Sequence, residues 1–187
     1  MSVASKDVDL LETLRGCLGL RVSISECQSK CGRVVGRVQW SDRAFYDALL
    51  MLGLTPAKSL TLGSLAIPDK YFPDFFRGCI DGDGSVLVYI DRYHTAKNER
   101  YVYQRLYVSL VSASRPFVDW VQANVQRLTS LNGVIEAQHG RGRRVIWLLR
   151  YAKRESLDLL HWMYYAPNVP SLARKRAKAE PFMSGMR

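Results

Sequence analysis

Two aspartates set among three glycines, near the middle of the chain, are the residues best suited to chemistry. The segment reads Phe75-Phe76-Arg77-Gly78-Cys79-Ile80-Asp81-Gly82-Asp83-Gly84-Ser85-Val86. An apolar helical pattern ends here and a strand pattern follows over residues 86–90. Glycines allow close backbone approach and the positive φ that ends many helices. We therefore expect Asp83 at the tip of a helix, where a carboxylate can hold a divalent cation against a phosphate.

A calcium-binding loop is the main competing interpretation of this segment. An EF-hand loop requires glycine at its sixth position and glutamate at its twelfth. Counted from Asp81, those positions hold Val86 and Arg92, so the sequence does not fit such a loop. A plain helix end followed by a strand, with both acids exposed in the turn, stays open as an alternative.

The charge of the chain indicates a polyanionic partner. Among 187 residues, 27 are Lys or Arg and 17 are Asp or Glu, which gives a formal net charge of +10. A globular chain this basic most often binds a polyanion, although a generally solvated basic surface is the alternative. The hydrophobic content of 48% is ordinary, and the length suits one substantial core or two small ones.

The sequence argues against a membrane protein, a secreted protein and a zinc protein. No stretch reaches the length of a transmembrane helix, and the N-terminus lacks the apolar core of a signal peptide. We therefore expect an intracellular protein, cytoplasmic or organellar, with no membrane partner. Cys17, Cys27, Cys31 and Cys79 show no C-x-x-C spacing and are interpreted as reduced. Cys27 and Cys31 could form half a zinc site, but no second half follows.

The regions on either side of the aspartates repeat one order of elements. The earlier region predicts helix, strand, strand and helix, at residues 10–18, 21–24, 34–40 and 45–52. The later region predicts the same order, at residues 117–128, 134–137, 145–149 and 155–164. Two long strands, at 86–90 and 101–111, lie between the copies.

One face of these strands carries polar and aromatic side chains. In the second strand, Tyr103, Arg105 and Tyr107 alternate with Leu106 and Val108. A solvated sheet face explains this pattern, and so does a nucleic-acid-binding face, since Arg and Tyr can meet phosphates and base edges. The candidate contact residues lie on these strands and on the basic hairpin that follows: Tyr89, Tyr103, Arg105, Tyr107, Ser109, Glu136, Gln138, Arg141, Arg143 and Arg144.

The aspartate segment resembles the signature of the LAGLIDADG homing endonucleases in its variant form R-G-x-x-D-G-D-G-S. The matching residues are Arg77, Gly78, Asp81, Gly82, Asp83, Gly84 and Ser85. The resemblance implies an α+β fold with the αββαββα core of this family and an antiparallel DNA-binding sheet. We divide the chain accordingly into a partial N-terminal repeat at 1–68, a possible DNA-contact module, and a motif-containing catalytic domain at 69–187.

The resemblance also implies a function. It predicts a metal-dependent, site-specific endonuclease of double-stranded DNA, encoded by a mobile intron or an intein-like element, with Mg²⁺ or Mn²⁺ and no small-molecule substrate. A catalytically silent DNA-binding regulator or an RNA maturase on the same fold is the alternative. Asp83 favours catalysis, because a silent relative has no need for a carboxylate that repels phosphate.

Roles in this family carry over to single residues here. The resemblance assigns metal binding to Asp83 and to the backbone carbonyl of Gly82. Ser112, at the end of the second strand, is expected near the active-site water. Lys175 is expected to neutralise the transition state, with a solvated surface charge as its alternative. Asp81 is assigned to the turn.

Family active sites use two packed motif helices, whereas this chain has one clear motif. The resemblance therefore implies a homodimer in which two copies of the motif helix pack across a two-fold axis. The residues expected at that helix interface are Phe75, Gly78, Cys79 and Gly82.

Overall fold

Two antiparallel sheets and six helices form the computed structural model, which describes residues 1–29, 31–56, 58–94, 96–139 and 145–185. The helices are α1 (Val8–Cys17), α2 (Arg43–Met51), α3 (Phe72–Asp83), α4 (Arg115–Thr129), α5 (Lys153–Met163) and α6 (Ala173–Ser184). The strands are β1 (Ser2–Ser5), β2 (Ser25–Gln28), β3 (Val34–Gln39), β4 (Gly84–Asp91), β5 (Tyr103–Ser112), β6 (Val134–His139) and β7 (Val145–Tyr151).

The first sheet has the order β1-β3-β2 and packs against α1. Strand β1 was not predicted, because four residues with two serines carry little hydrophobic alternation. The strand predicted at 21–24 was wrong, since pairing with β3 begins only at Ser25, opposite Arg37. Ile24 lies just before β2, and its half-buried side chain lies beside Gly36 of β3.

The second sheet has the order β4-β5-β7-β6 and confirms the predicted αββαββα core. Helices α3, α4 and α5 cover one of its faces, and the core between them is mainly apolar. Ser156 of α5 is a buried polar exception; it accepts a hydrogen bond from the Val108 N–H and donates one to the Tyr151 carbonyl. Phe72, Phe76 and Ile80 stand one helical turn apart on α3, and each is at most 1% exposed. The Phe72 ring lies 5.5 Å from that of Trp120 and 6.3 Å from that of Trp162, which joins α3 to α4 and α5.

The internal repeat is present in three dimensions. Strands β5, β7 and β6 pair in the same antiparallel order as β1, β3 and β2, with a helix following the first strand of each set. Strand β1 thus corresponds to β5. The division at residue 68 stays a prediction.

Helix α6 was not predicted. Its sequence is rich in Lys and Arg and contains Pro181, so the charge obscures the apolar periodicity. Lys175, Ala179 and Phe182 form its buried face. Within the described residues, no helix is long and apolar enough to cross a membrane. The four cysteines are free thiols.

Candidate functional site

Asp83 is the last residue of α3, and β4 begins at the next residue. The strand turns back over the helix because Gly84 has no side chain. A Cβ at Gly84 would lie 2.7 Å from the Ile80 Cα and 2.7 Å from the Ser109 carbonyl oxygen, which no real Cβ tolerates. Asp83 itself is exposed, and no described residue donates a hydrogen bond to its carboxylate. The predicted placement at a helix tip is therefore observed.

Lys175 reaches the same helix end from α6. Its ammonium donates to the carbonyl oxygens of Ile80, Asp81 and Gly84 at 2.6, 2.8 and 2.8 Å, and the residue is 4% exposed. A lysine has three N–H donors, so these contacts use all of them. Burial, together with Arg174, lowers the pKa of the Lys175 ammonium. Its transition-state role stays a prediction; its observed contacts cap the carboxyl end of α3.

Asp81 is buried and lies inside α3, which corrects its expected place in an exposed turn. Its Oδ2 accepts a hydrogen bond from the backbone N–H of Leu172 at 3.0 Å, so the carboxylate caps the start of α6. Burial raises the pKa of Asp81. The two acids of the motif therefore have different surroundings, and only Asp83 is open to a ligand.

Arg77, another motif residue, holds the segment that leads to α6. It is 3% exposed and donates from Nε to the Pro170 carbonyl at 2.7 Å and from Nη1 to the Met163 carbonyl at 2.6 Å. It also pairs with Asp74 on its own helix. The arginine of the motif is thus structural.

A cavity of about 470 Å³ lies beside Asp83. Ser112, at the end of β5, lines it together with Asp83 and Cys79. The Ser112 hydroxyl accepts a hydrogen bond from the backbone N–H of Ser114 at 3.1 Å. The structure therefore brings Ser112 and Asp83 to one cavity, while Lys175 supports the helix end from α6.

The residues present fit a metal only in part. Among the described residues, no group of three or more His, Cys, Asp or Glu side chains could hold a metal ion. One carboxylate and one carbonyl, from Asp83 and Gly82, are available at the end of α3. Mg²⁺ commonly binds through one or two carboxylates plus waters and phosphate oxygens. The donors therefore fit a magnesium ion shared with a phosphate and a second acid.

The outer face of α3 is open along its glycines. A Cβ added at Gly78 or at Gly82 would meet no atom within 4 Å. Phe75 and Cys79 are half-buried and line the cavity beside Asp83. The Phe75 ring lies 5.7 Å from that of Trp120, and burial raises the pKa of Cys79 to about 12. A cavity of about 690 Å³ separates Gly78 from α1, whose Leu10 and Leu14 line the opposite wall.

The face of the second sheet that points away from the helices carries the predicted aromatic and basic residues. The Tyr89 and Tyr107 rings lie 6.3 Å apart and nearly parallel. Arg105 forms an ion pair with Asp91 at 2.9 Å, and its guanidinium lies over the Tyr103 ring. These side chains are partly exposed, so they are available to a ligand.

Arg150 is a residue of this face that the sequence analysis missed. It pairs with Glu136 at 2.5 Å, and its guanidinium lies 5.5 Å from the centre of the Tyr107 ring. The pairing of Arg150 with Ser109 and with Val134 across the sheet places it on the face of Glu136 and Arg105. The sequence carried little signal for Arg150, because β7 is a nearly continuous apolar run.

Other predicted contact residues are less accessible or lie outside the described part. Ser109 is on the expected face but only 8% exposed, because its hydroxyl is paired with that of Ser85 at 2.8 Å. Gln138 is exposed near the end of β6. Arg141, Arg143 and Arg144 lie outside the described residues. The DNA-contact role of all these residues stays a prediction.

Comparison with solved structures gives the fold. Residues covering 98% of this chain match 76% of the meganuclease I-SmaMI, solved with uncleavable DNA, at a TM-score of 0.61 and 15% identity. A match to I-LtrWI, a LAGLIDADG homing endonuclease solved with its target DNA, covers 97% of this chain and 77% of that chain, at a TM-score of 0.55 and 11% identity.

A third match is to the homing endonuclease I-CvuI, at 17% identity and a TM-score of 0.41; it covers 62% of this chain. This chain spans 65% of the length of I-CvuI. No protein-family model matches the sequence, and no curated protein matches it significantly. The matches to I-SmaMI and I-LtrWI include both sheets, because they extend over nearly the whole chain. The chain therefore has the LAGLIDADG homing endonuclease fold.

Proposed function

We propose that the chain is a metal-dependent, site-specific endonuclease of double-stranded DNA. The observation that carries the proposal is the carboxylate of Asp83, which stands exposed at the end of α3 and has no hydrogen-bond or ion-pair partner among the described residues. A carboxylate is unfavourable at the negative end of a helix dipole. A cation bound between this carboxylate and a phosphate accounts for its position in a chain with a net charge of +10.

The proposal assigns a separate role to each residue of the site. Asp83 and the carbonyl of Gly82 would hold Mg²⁺ or Mn²⁺, which would supply an activated water and stabilise charge on the phosphate. Lys175 fixes the last turn of α3 through its three carbonyl contacts, so that the carboxylate has one defined position. Ser112 lines the cavity where a water would stand. Arg105 and Arg150 meet the DNA from the sheet.

The second acid of the site comes from a second copy of the chain in this proposal. The open glycines of α3 support it, because Gly78 and Gly82 allow another helix to approach closely. A second α3 packed along these glycines would bring its own Asp83 toward the end of the first. Sedimentation with and without DNA tests this step: a monomer that still cuts DNA would contradict the homodimer.

Target selection followed by cleavage tests the function as a whole. The chain is incubated with a randomised duplex library, bound DNA is recovered, and the selected duplex is then treated with Mg²⁺, with Ca²⁺ or with a chelator. We expect both strands to be cut with Mg²⁺ and neither strand to be cut with the chelator. A selected duplex that is bound tightly and never cut would favour the DNA-binding regulator.

An RNA ligand is the remaining alternative. The stacked tyrosines of the sheet face would also suit unpaired bases, because bases stack on exposed aromatic rings. A competition between the selected duplex and structured intron RNA separates the two: the endonuclease proposal predicts that the duplex is preferred, and a preference for RNA would favour the maturase. Encoding by a mobile intron or an intein-like element remains part of the proposal.

A further inference from the structure

Four consecutive residues, Leu172 to Lys175, contact two different parts of the molecule in turn. The first and last of them bind the end of α3: the N–H of Leu172 donates to Asp81, and the ammonium of Lys175 donates to three carbonyls. The middle two bind the start of α1. We call residues 172–175 the junction segment.

The contacts with α1 are polar and well directed. The backbone N–H of Ala173 donates to Oδ2 of Asp9 at 3.1 Å. Arg174 forms a two-point ion pair with Asp7, from Nε to Oδ1 at 2.9 Å and from Nη2 to Oδ2 at 2.8 Å. Arg174 accordingly lowers the pKa of Asp7. Two-point pairs between Arg and a carboxylate fix direction as well as distance.

The α3 side of the junction segment is buried, whereas the α1 side is partly exposed. Lys175 and Asp81 are each 4% exposed, so the link to α3 is rigid. Both acids that face the amides at the start of α6, Asp81 and Asp9, sit where the helix dipole favours negative charge. These contacts connect the start of α1, through the start of α6, to the last turn of α3, which carries Asp83.

We infer that the N-terminal repeat positions the metal-binding end of α3 through the junction segment. Asp7, Asp9 and Arg174 are positioning residues, because they contact one another and the junction segment rather than Asp83. The inference gives the N-terminal repeat a role besides DNA contact. It rests on the proposed function for its effect on cleavage, but its structural part does not depend on any activity.

Amide hydrogen exchange in the full chain tests the structural part. The variant is Asp7→Asn, which removes the charge and keeps the size of the side chain. The control is Asp47→Asn, the same substitution in a one-point, exposed Arg–Asp pair within α2, with Arg43 as partner. The readout is the exchange rate of the amides at residues 80–84, compared with that of α4.

We expect Asp7→Asn to speed exchange at residues 80–84 about two- to fivefold, since exposed ion pairs contribute modestly. Asp47→Asn should leave this rate unchanged, and neither variant should alter exchange in α4. Arg174→Asp alone should also speed exchange at residues 80–84. The double variant Asp7→Arg with Arg174→Asp reverses the ion pair and should restore the wild-type exchange rate. Equal rates in Asp7→Asn and the wild-type chain, or a swap without rescue, would overturn the inference.

Cleavage separates this inference from the proposed function. Asp7→Asn should lower the turnover rate while the affinity for DNA changes by less than about twofold, because a lost negative charge does not weaken contact with phosphate. If the wild-type chain cuts no DNA, the proposed function fails, but the exchange rates still decide the inference. If the chain cuts and the exchange rates do not respond, the inference fails alone.

Discussion

Asp81 and Asp83, the two acids of the motif, point in different directions because of helix geometry. Residues two positions apart on a helix point about 200° away from each other. Asp81 therefore faces the start of α6, where the Leu172 amide satisfies one oxygen. Asp83 faces solvent at the helix end. One carboxylate stabilises the fold, and the other is exposed at the helix end.

Gly84 provides a prediction at the same scale. Gly84→Ala should destabilise the chain by about 1–3 kcal/mol, because the added Cβ meets backbone atoms that cannot move aside. Gly82→Ala is the matched control and should be neutral or stabilising by about 0.5–1 kcal/mol, since its Cβ meets open space within a helix. Denaturant unfolding measures both. Similar midpoints for the two variants would contradict the packing described here.

The sequence predicted the position of Asp83 at a helix end, because glycines and a strand pattern follow the helical pattern there. It did not predict the contacts of Lys175, since a cluster of Lys and Arg does not reveal which member is buried. Arg150 was missed for a related reason. Its strand reads as a continuous apolar run at first, and only the pairing with β5 and β6 shows which face it occupies.

At the scale of elements, the outer face of the second sheet joins arginines to acids and aromatic rings. Arg150→Ala should change the preferred DNA sequence at one position if its guanidinium reads a base edge, with an effect of about 1–3 kcal/mol. Arg127→Ala is the control. Arg127 also forms an ion pair with an aspartate, Asp69, but it lies on α4, behind the sheet. Target selection with each variant measures the preferred DNA sequence. If both variants prefer the same sequence, Arg150 on the sheet face does not read bases.

Helix α3 gives a second prediction for an element. Gly78→Ala should stabilise the isolated chain by about 0.5–1 kcal/mol, since alanine favours a helix and the position is open. The same change should weaken self-association, because an added methyl separates two closely packed helices. Unfolding and sedimentation of this variant are measured together. Stabilisation without any loss of association would show that the glycine face is not an interface.

Strong periodicity decided which elements could be predicted. The alternation of β5 predicted this strand nearly at its observed bounds, and the glycines predicted where α3 ends. Strand β1 is short and polar, and α6 is dominated by charge, so tertiary contacts rather than local pattern define them. Strand β2 begins after the predicted strand, because its register is set by pairing with β3.

At the scale of the whole molecule, the net charge of +10 predicts binding that depends strongly on salt. Each phosphate contact releases counterions, so the affinity for a selected duplex should fall steeply between about 50 and 200 mM salt. Replacing a phosphate-contacting lysine or arginine should reduce the slope by about one. A titration of affinity against salt measures this. A flat dependence would contradict a DNA-binding role for the basic surface.

Cleavage by Asp83→Asn tests the central claim most directly. The amide has nearly the same shape as the carboxylate, so α3 should keep its end, but the charge that holds the cation is lost. The variant should bind the selected duplex at least as tightly as the wild-type chain, because repulsion from phosphate is removed.

Mg²⁺-dependent cutting should disappear in Asp83→Asn, while Asp81→Asn, whose side chain is committed to the start of α6, should still cut. The measurement is the rate of strand scission in the bound duplex with Mg²⁺, with Ca²⁺ and chelator controls. Loss of cutting with retained binding is the predicted result. Undiminished cutting by Asp83→Asn would contradict the assignment of this carboxylate to the active site.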